Sequence, residues 1–212
     1  MMEFIKQPMA IERRSMELIA PYIEGLSLSE AEKKVYSRII HAAGDVEYAP
    51  IIRISETAVE EGIAALRGGA DIYTDVEMVR TGINKRKLAS FGGAVHCRIQ
   101  DPEIAAQAKA QGVTRSLAAM RSFGAALTGS VVAIGNAPTA LFEVLRLVRE
   151  EGVRPACIVG IPVGFVGAAD SKKALAENRL VPYITVEGTK GGSPIAAAAV
   201  NAMLYEIDNS RD

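Results

Sequence analysis

Tryptophan is absent from this sequence, and cysteine and histidine occur only twice each. Two cysteines, Cys97 and Cys157, are too few for a disulfide framework and suit a reducing compartment. Five Phe and six Tyr leave few aromatic platforms for stacked bases. An excess of one charge is lacking as well: 24 Lys and Arg stand against 25 Asp and Glu, a formal net charge of -1. That argues against a partner held through bulk positive charge, so no nucleic acid is expected. No uninterrupted apolar run reaches the ~18 residues needed to span a bilayer, and Met1 to Gln7 carries no apolar signal core. A cytoplasmic protein that makes no use of a membrane is the expectation. What is present is an ordinary globular balance, 49% hydrophobic and 23% charged, which disfavours disorder and fibrous folds. The 212 residues read as a single domain, 1–212, able to bury roughly 70% of its unfolded surface without staples.

Two periodicities divide the chain. The first third is helical in pattern. Ser27-Leu28-Ser29-Glu30 has capping-box spacing, and Leu28, Ala31, Val35, Ile39 and Ala42 follow at helical spacing, with Gly44 as a stop. A further helix is predicted over 55–67. Beyond it, short apolar runs at 70–74, 94–99, 130–135, 156–161 and 183–187 alternate with helical stretches. These stretches are 75–82, 102–112 with 114–127, 138–151, 171–178 and 194–207. Strands of about five residues separated by helices read as βαβ units. The run Val131-Val132-Ala133-Ile134 is apolar on both faces, as a central parallel strand is. The fold class is therefore α/β: a three-layer α/β/α, Rossmann-like domain with a mainly parallel five-stranded sheet and a helical N-terminal segment. In such folds the ligand sits outside the carboxyl ends of the strands. That edge carries Asp75, Gly135-Asn136, Pro162 to Gly167 and Gly188 to Ser193.

Three glycine loops on this edge are candidates for ligand contact, represented by Asn136, Gly164, Gly191 and Gly192. Pro138 fits a first helical turn, and the free N–H groups there could hold an anion. No GxGxxG follows any of these strands and no GxxxxGK[ST] occurs, so a nucleotide fingerprint is missing; tight βα turns remain the plainer reading of each single loop. His96 and Cys97 are neighbours in a strand and point to opposite faces, a poor chelating pair. With no CxxC or HExxH, no protein-held metal is expected, and His96 reads as structural. His41 ends its helix three residues after Arg38 and seven after Lys34, on one face. Either it is a solvated basic helix end, or an anionic ligand there favours the imidazolium. Arginines also gather at Arg13-Arg14. Arg115, in Thr114-Arg115-Ser116 at a helix start, could fork onto a carboxylate or simply be exposed.

Taken together, certain segments resemble the precorrin-8X methylmutase family, which includes the cobalt-precorrin-8 methylmutases. They are Glu12-Arg13-Arg14-Ser15, Arg38 to Gly44, Asp75 to Val79, Thr114-Arg115-Ser116, Gly129 to Leu141, Gly160 to Lys172, and Gly191-Gly192-Ser193. The resemblance runs from about Pro8 to Met203; the stretch Asn84 to Lys87 departs from it. It implies an isomerase of corrin-ring biosynthesis that moves a ring methyl from C-11 to C-12 of (cobalt-)precorrin-8. No external cofactor is implied, and any cobalt arrives inside the tetrapyrrole. It further implies that His41 is the catalytic acid. Ser15 and Arg38 fall at substrate-contact positions, beside Arg14, and Arg115 matches a further substrate-stabilising arginine. A homodimer is implied too, for which the apolar last helix, Ala196 to Met203, gives the sequence's own support. The competing readings are a tetrapyrrole-binding carrier or sensor without turnover, and a nucleotide-binding α/β enzyme, which the missing phosphate fingerprints count against.

Overall fold

The computed structural model describes residues 5–209; Met1 to Phe4, part of the stretch read as lacking a signal core, lie outside them. The alternation of apolar runs becomes one six-stranded sheet. Its strands are β1 (Ile52–Ile54), β2 (Ile72–Thr74), β3 (Val95–His96), β4 (Val131–Ile134), β5 (Cys157–Gly160) and β6 (Tyr183–Val186), in the spatial order β1-β6-β5-β4-β2-β3. Every neighbouring pair is parallel except β1 with β6. The five expected strands are all there. The sheet is larger by one, because Ile52-Arg53-Ile54 pairs antiparallel with β6, Ile52 opposite Val186 and Ile54 opposite Ile184. Three residues emerging from a 3-10 turn over Val46–Ile51 carry too little period-2 signal to be read locally; β6 recruits them. The 94–99 run shrinks to the two residues of β3, because as an edge strand it has only β2 to pair with.

The helices are α1 (Pro8–Ile23), α2 (Glu30–Ala43), α3 (Ala58–Arg67), α4 (Glu77–Gly82), α5 (Lys85–Ala89), α6 (Pro102–Gln111), α7 (Arg115–Phe123), α8 (Pro138–Glu150), α9 (Ala168–Glu177) and α10 (Ser193–Asn209). The stretch expected as one helix over 114–127 breaks at Gly124 (φ 50, ψ -126) into α7 and a 3-10 turn. Helix α5 lies in the 84–87 region, where no helix was expected. Side chains alternate across the sheet, and two cores result. Val131, Ala133, Cys157 and Val159 pack with α2, α3 and α10. Val132, Ile134 and Ile158 pack with α8 on the other face.

Helix α10 is the spindle of the first core. Ala196, Ala197, Ala199, Val200, Ala202 and Met203 are all buried, within the chain's own packing against α2, α3 and α4. The apolar stretch read as support for a subunit contact is therefore intramolecular. A helix apolar all round is a buried helix. The neighbours close on it through glycine: a Cβ added to Gly62 of α3 would lie 2.5 Å from the Met203 sulfur, and one on Gly82 of α4 2.8 Å from the Ala197 Cβ. Enlarging such an alanine would overpack the core at a cost of roughly 1–3 kcal/mol.

Candidate active site

Helix α2 delivers the histidine. Its amino end is closed by a capping box, though two residues later than the Ser27 reading: Ser29 Oγ accepts from Glu32 N–H at 3.2 Å, and the Glu32 carboxylate accepts from Ser29 N–H at 2.7 Å. Ser29 wins because its backbone is extended and the first turn begins at Glu30. At the other end Gly44 takes φ 62, a left-handed conformation that stops the helix at little cost for glycine. Val35, Tyr36, Ile39 and Ile40 are buried. Ala42, read as part of that apolar stripe, is exposed. The face left over carries Lys34, Ser37, Arg38 and His41.

Those basic residues are already partnered. Lys34 Nζ donates to Glu206 at 2.6 Å, and Arg38 pairs with Glu12 of α1. The Arg38 guanidinium also stands 5.7 Å from the centre of the Tyr205 ring, with the Lys87 ammonium 5.5 Å from the same ring. The basic run Lys85-Arg86-Lys87, in the stretch that departs from the family resemblance, thus sends Lys87 to the Arg38 side. Ser15, one turn beyond Glu12 on α1, donates its hydroxyl to Ile11 O at 2.9 Å. Arg14 points round the other side of α1 and pairs with Glu17 at 3.1 Å, away from Arg38. A groove of about 430 Å³ runs between α1, α2 and α10, lined in part by Glu12, Met16, Ser37, Arg38 and Tyr205. A recess of about 390 Å³ opens at the end of α2, lined by Ala42, Ala43, Tyr48, Val163, Gly191 and Pro194 among others. His41 occupies the turn between the two and is exposed.

The glycine loops differ from expectation in one respect. The N–H groups of Gly135, Asn136 and Ala137 do not await an external anion: Asp75 accepts from all three, at 3.1, 2.9 and 2.7 Å. Asp75 is fully buried. Burial pushes its pKa up, against the three donors that pull it down. The stretch read as a helix from 75 starts at Glu77 instead, which frees Asp75 for this task. The Asn136 side chain stays exposed. Nearby, the Thr114 hydroxyl lies 2.7 Å from that of Thr139 and accepts from Leu117 N–H at 3.2 Å. This sets Arg115, first residue of α7, beside the Asn136 turn on the second face of the sheet. The structure therefore groups Ser15, Arg38 and His41 on one side, and Arg115 with Asn136 on the other.

Between them lies the loop after β6, with Gly188, Gly191 and Gly192 at φ 72, 151 and 128. Gly164 N–H donates to Thr189 O at 3.1 Å and Gly192 N–H to Ile161 O at 2.9 Å, so Gly164, Gly191 and Gly192 meet in one place. Lys172, buried in α9, donates Nζ to Lys190 O; burial pushes its pKa down to about 8. Lys190 reaches back to the segment after α2, with Nζ 2.6 Å from Asp45 and 2.8 Å from Glu47, and those bonds, Asp45 first, raise its pKa. The partnerships of Lys172, Lys190 and Asp75 escape a sequence reading because the partners are 18 to 145 residues away.

The remaining chemistry-bearing residues are occupied elsewhere. His96 Nε2 lies 2.9 Å from Asp71, and its ring stacks on Tyr73 at 4.9 Å. Both cysteines are free; burial pushes the Cys97 thiol up to about 11, which leaves it protonated near neutrality. Among the described residues no group of three His, Cys, Asp or Glu could hold a metal ion, and no helix is long and apolar enough to cross a membrane. A larger hollow of about 760 Å³ lies at the opposite edge of the sheet, but Glu56, Glu61 and Glu177 line it against a single cation, Arg179, a net negative lining that disfavours a polycarboxylate.

Fold and rim together define an α/β enzyme whose ligand edge combines glycine loops, basic side chains and one exposed imidazole. Comparison with known proteins makes this specific. The sequence model of the precorrin-8X methylmutase family matches residues 10–206. The chain is 44% identical to the precorrin-8X methylmutase of Sinorhizobium sp over 95% of its length and 96% of the relative's. It is 41% identical to the cobalt-precorrin-8 methylmutase of Salmonella typhimurium, over 97% and 99%. A solved precorrin-8x methyl mutase from Thermus thermophilus superimposes with a TM-score of 0.85 at 37% identity, covering 94% of this chain and 98% of that one. The chain belongs to the precorrin-8X methylmutase family, and it is an isomerase of cobalamin biosynthesis.

Proposed function

We propose that the chain moves a ring methyl from C-11 to C-12 of precorrin-8 or its cobalt form, yielding hydrogenobyrinate or cobyrinate, with His41 as the acid. The observation that supports this most is the placement of the single exposed histidine of the ligand edge, one turn from Arg38. The imidazolium gives a proton to the conjugated ring, the methyl migrates with its bonding pair, and the proton is lost again. Substrate and product are isomers, so no external cofactor is consumed, and cobalt, where present, is carried by the substrate. Arg38 and Ser15 on one side, and Arg115 and Asn136 on the other, take the carboxylate arms, while Gly164, Gly191 and Gly192 let the backbone approach a broad flat ring. Arg14, turned toward Glu17, has the weakest geometric support.

Removing a general acid costs typically 10²–10⁴-fold in rate. His41→Ala should lose about that much single-turnover conversion, followed by the ring's absorption, while still binding product. Unchanged turnover would refute the assignment; a wild type that binds product and never isomerises substrate would make the chain a carrier. Arg38→Ala should weaken product binding by roughly 1.5–3 kcal/mol.

We also propose a cytoplasmic homodimer. Met9, Ile11, Leu18 and Tyr22 of α1 are exposed apolar residues. Ile11, Leu18 and Tyr22, with Ser15 among them, follow one helix face. Such a patch marks an interface more often than bare surface. Leu18→Glu should produce a monomer in sedimentation; a wild-type monomer that is fully active would sink the proposal.

A further inference from the structure

The loop after β5 ends in an apolar tip that no described residue covers. Phe165 is 96% exposed and Val166 90%. Exposing a Phe this completely forfeits most of the burial free energy such a side chain can contribute. The residues that set the tip out are fixed. On one flank Val163 lines the recess at the end of α2, and Gly164 N–H is tied to Thr189 O at 3.1 Å. On the other flank Gly167, at φ 76, closes against Pro138 and Phe142. Gly191 backs directly on this loop: a Cβ there would fall 2.5 Å from Ile161 O and 2.9 Å from Pro162 O. The tip therefore stands on braced supports at the carboxyl edge, between the recess at the end of α2, next to His41 in sequence, and the turn beside Arg115.

Resting on the methylmutase reading above, we infer that Phe165 and Val166 form an apolar platform that packs against the face of the bound macrocycle. A corrin-type ligand is charged at its periphery and apolar across its ring. Arginines recognise the first part only. A ring held by flexible carboxylate arms alone can tilt and slide, and the proton donor must meet one position on it. An apolar surface beside the recess supplies the missing contact. Glycines on both sides of the tip, Gly164 and Gly167, let the two side chains stand out without crowding the ring. Phe165 and Val166 are thus positioning residues: they orient the substrate and take no part in proton transfer.

The test uses the full-length protein, with cobyrinic acid as the probe and its absorption as the readout. Phe165→Ser/Val166→Ser should raise the dissociation constant and the KM roughly ten- to a hundredfold, and should also lower the saturated single-turnover rate by about tenfold, because the bound ring no longer holds one orientation toward the proton donor. Phe165→Leu should recover most of the affinity, and Leu180→Ser, an exposed apolar residue at the opposite edge, should change nothing. Chymotrypsin should cut the free protein after Phe165 and be blocked by cobyrinic acid, but not by butanetetracarboxylate, which has the charges without the ring. Wild-type affinity in the double variant, or cleavage of the bound protein at the free rate, would overturn the inference. So would loss of the dimer at unchanged affinity, which would make the tip a subunit contact. A wild type that binds no cobyrinic acid would overturn the functional reading and this inference with it; wild-type binding matched by the variants overturns the inference alone.

Discussion

Two loops at the same sheet edge look alike in sequence and are built differently. The turn after β4 gathers three N–H groups around one carboxylate, that of Asp75, and is closed to any other anion. The loop after β6 holds its glycines open and is anchored from behind, by Lys172 through a main-chain carbonyl and by Lys190 through Asp45 and Glu47. In the first, an internal anion completes the structure. In the second, internal cations hold the frame, and Gly192 N–H pairs with the Ile161 carbonyl. A glycine after a strand announces a tight turn; which neighbour fills it decides whether the turn is a brace or part of the site.

The largest effect should come from breaking the closed turn. Asp75→Ala strands three N–H groups, those of Gly135 and Ala137 buried, and should cost roughly 3 kcal/mol or more in urea unfolding. Its turnover at saturation should persist in the fraction that stays folded; loss of product binding by that fraction would mean the turn serves the ligand directly.

A pH-dependent difference should mark the open loop. Lys172 titrates at about 8 in the folded protein and near 10.5 when unfolded. Below pH 8 both states bind the proton and its burial penalty is complete; above about 10.5 neither does. Between these limits the unfolded state holds more protons, so stability rises with pH. The stability of wild type relative to Lys172→Met should therefore grow by roughly 2 kcal/mol from pH 8 to 10, seen in paired denaturations. A constant difference would mean the amine is not desolvated.

The smallest effect concerns Lys190. Its pair with Glu47 is exposed and that with Asp45 only part-buried, and pairs so open to solvent add little stability, so Lys190→Met should leave the melting temperature nearly unchanged. It should loosen the loop against the end of α2, and so weaken product binding a few-fold. If the melting temperature falls sharply while binding holds, Lys190 is a structural strut and nothing more.

Much of this was legible beforehand where the signal is local. The spacing of Val35, Ile39, Arg38 and His41 separates a buried from an exposed face within one helix, and Gly44 ends it. The apolar run at 131–134 announces its burial from both sides. Partnerships across the chain were not legible. Glu12 meets Arg38 across 26 residues and Asp75 meets Gly135 across 60, and no local rule pairs them. Strand β1 is too short to carry a pattern, and the alanines of α10 suit a subunit interface as well as an internal spindle until α3 and α4 are seen to close on them.

The sheet's two borders carry a consequence for assembly. One border is β1, three residues long, with Arg53 on it bonded to Glu187 at 2.9 Å; the other is β3, two residues long. A neighbouring copy seeking to continue the sheet finds only a few unpaired backbone groups at either side, beside a charged side chain in one case. Short, charged borders of this kind blunt strand-to-strand growth. Copies of this chain can therefore crowd together at high concentration without templating one another into ribbons, and any stable union must be made by side chains projecting from helices and loops.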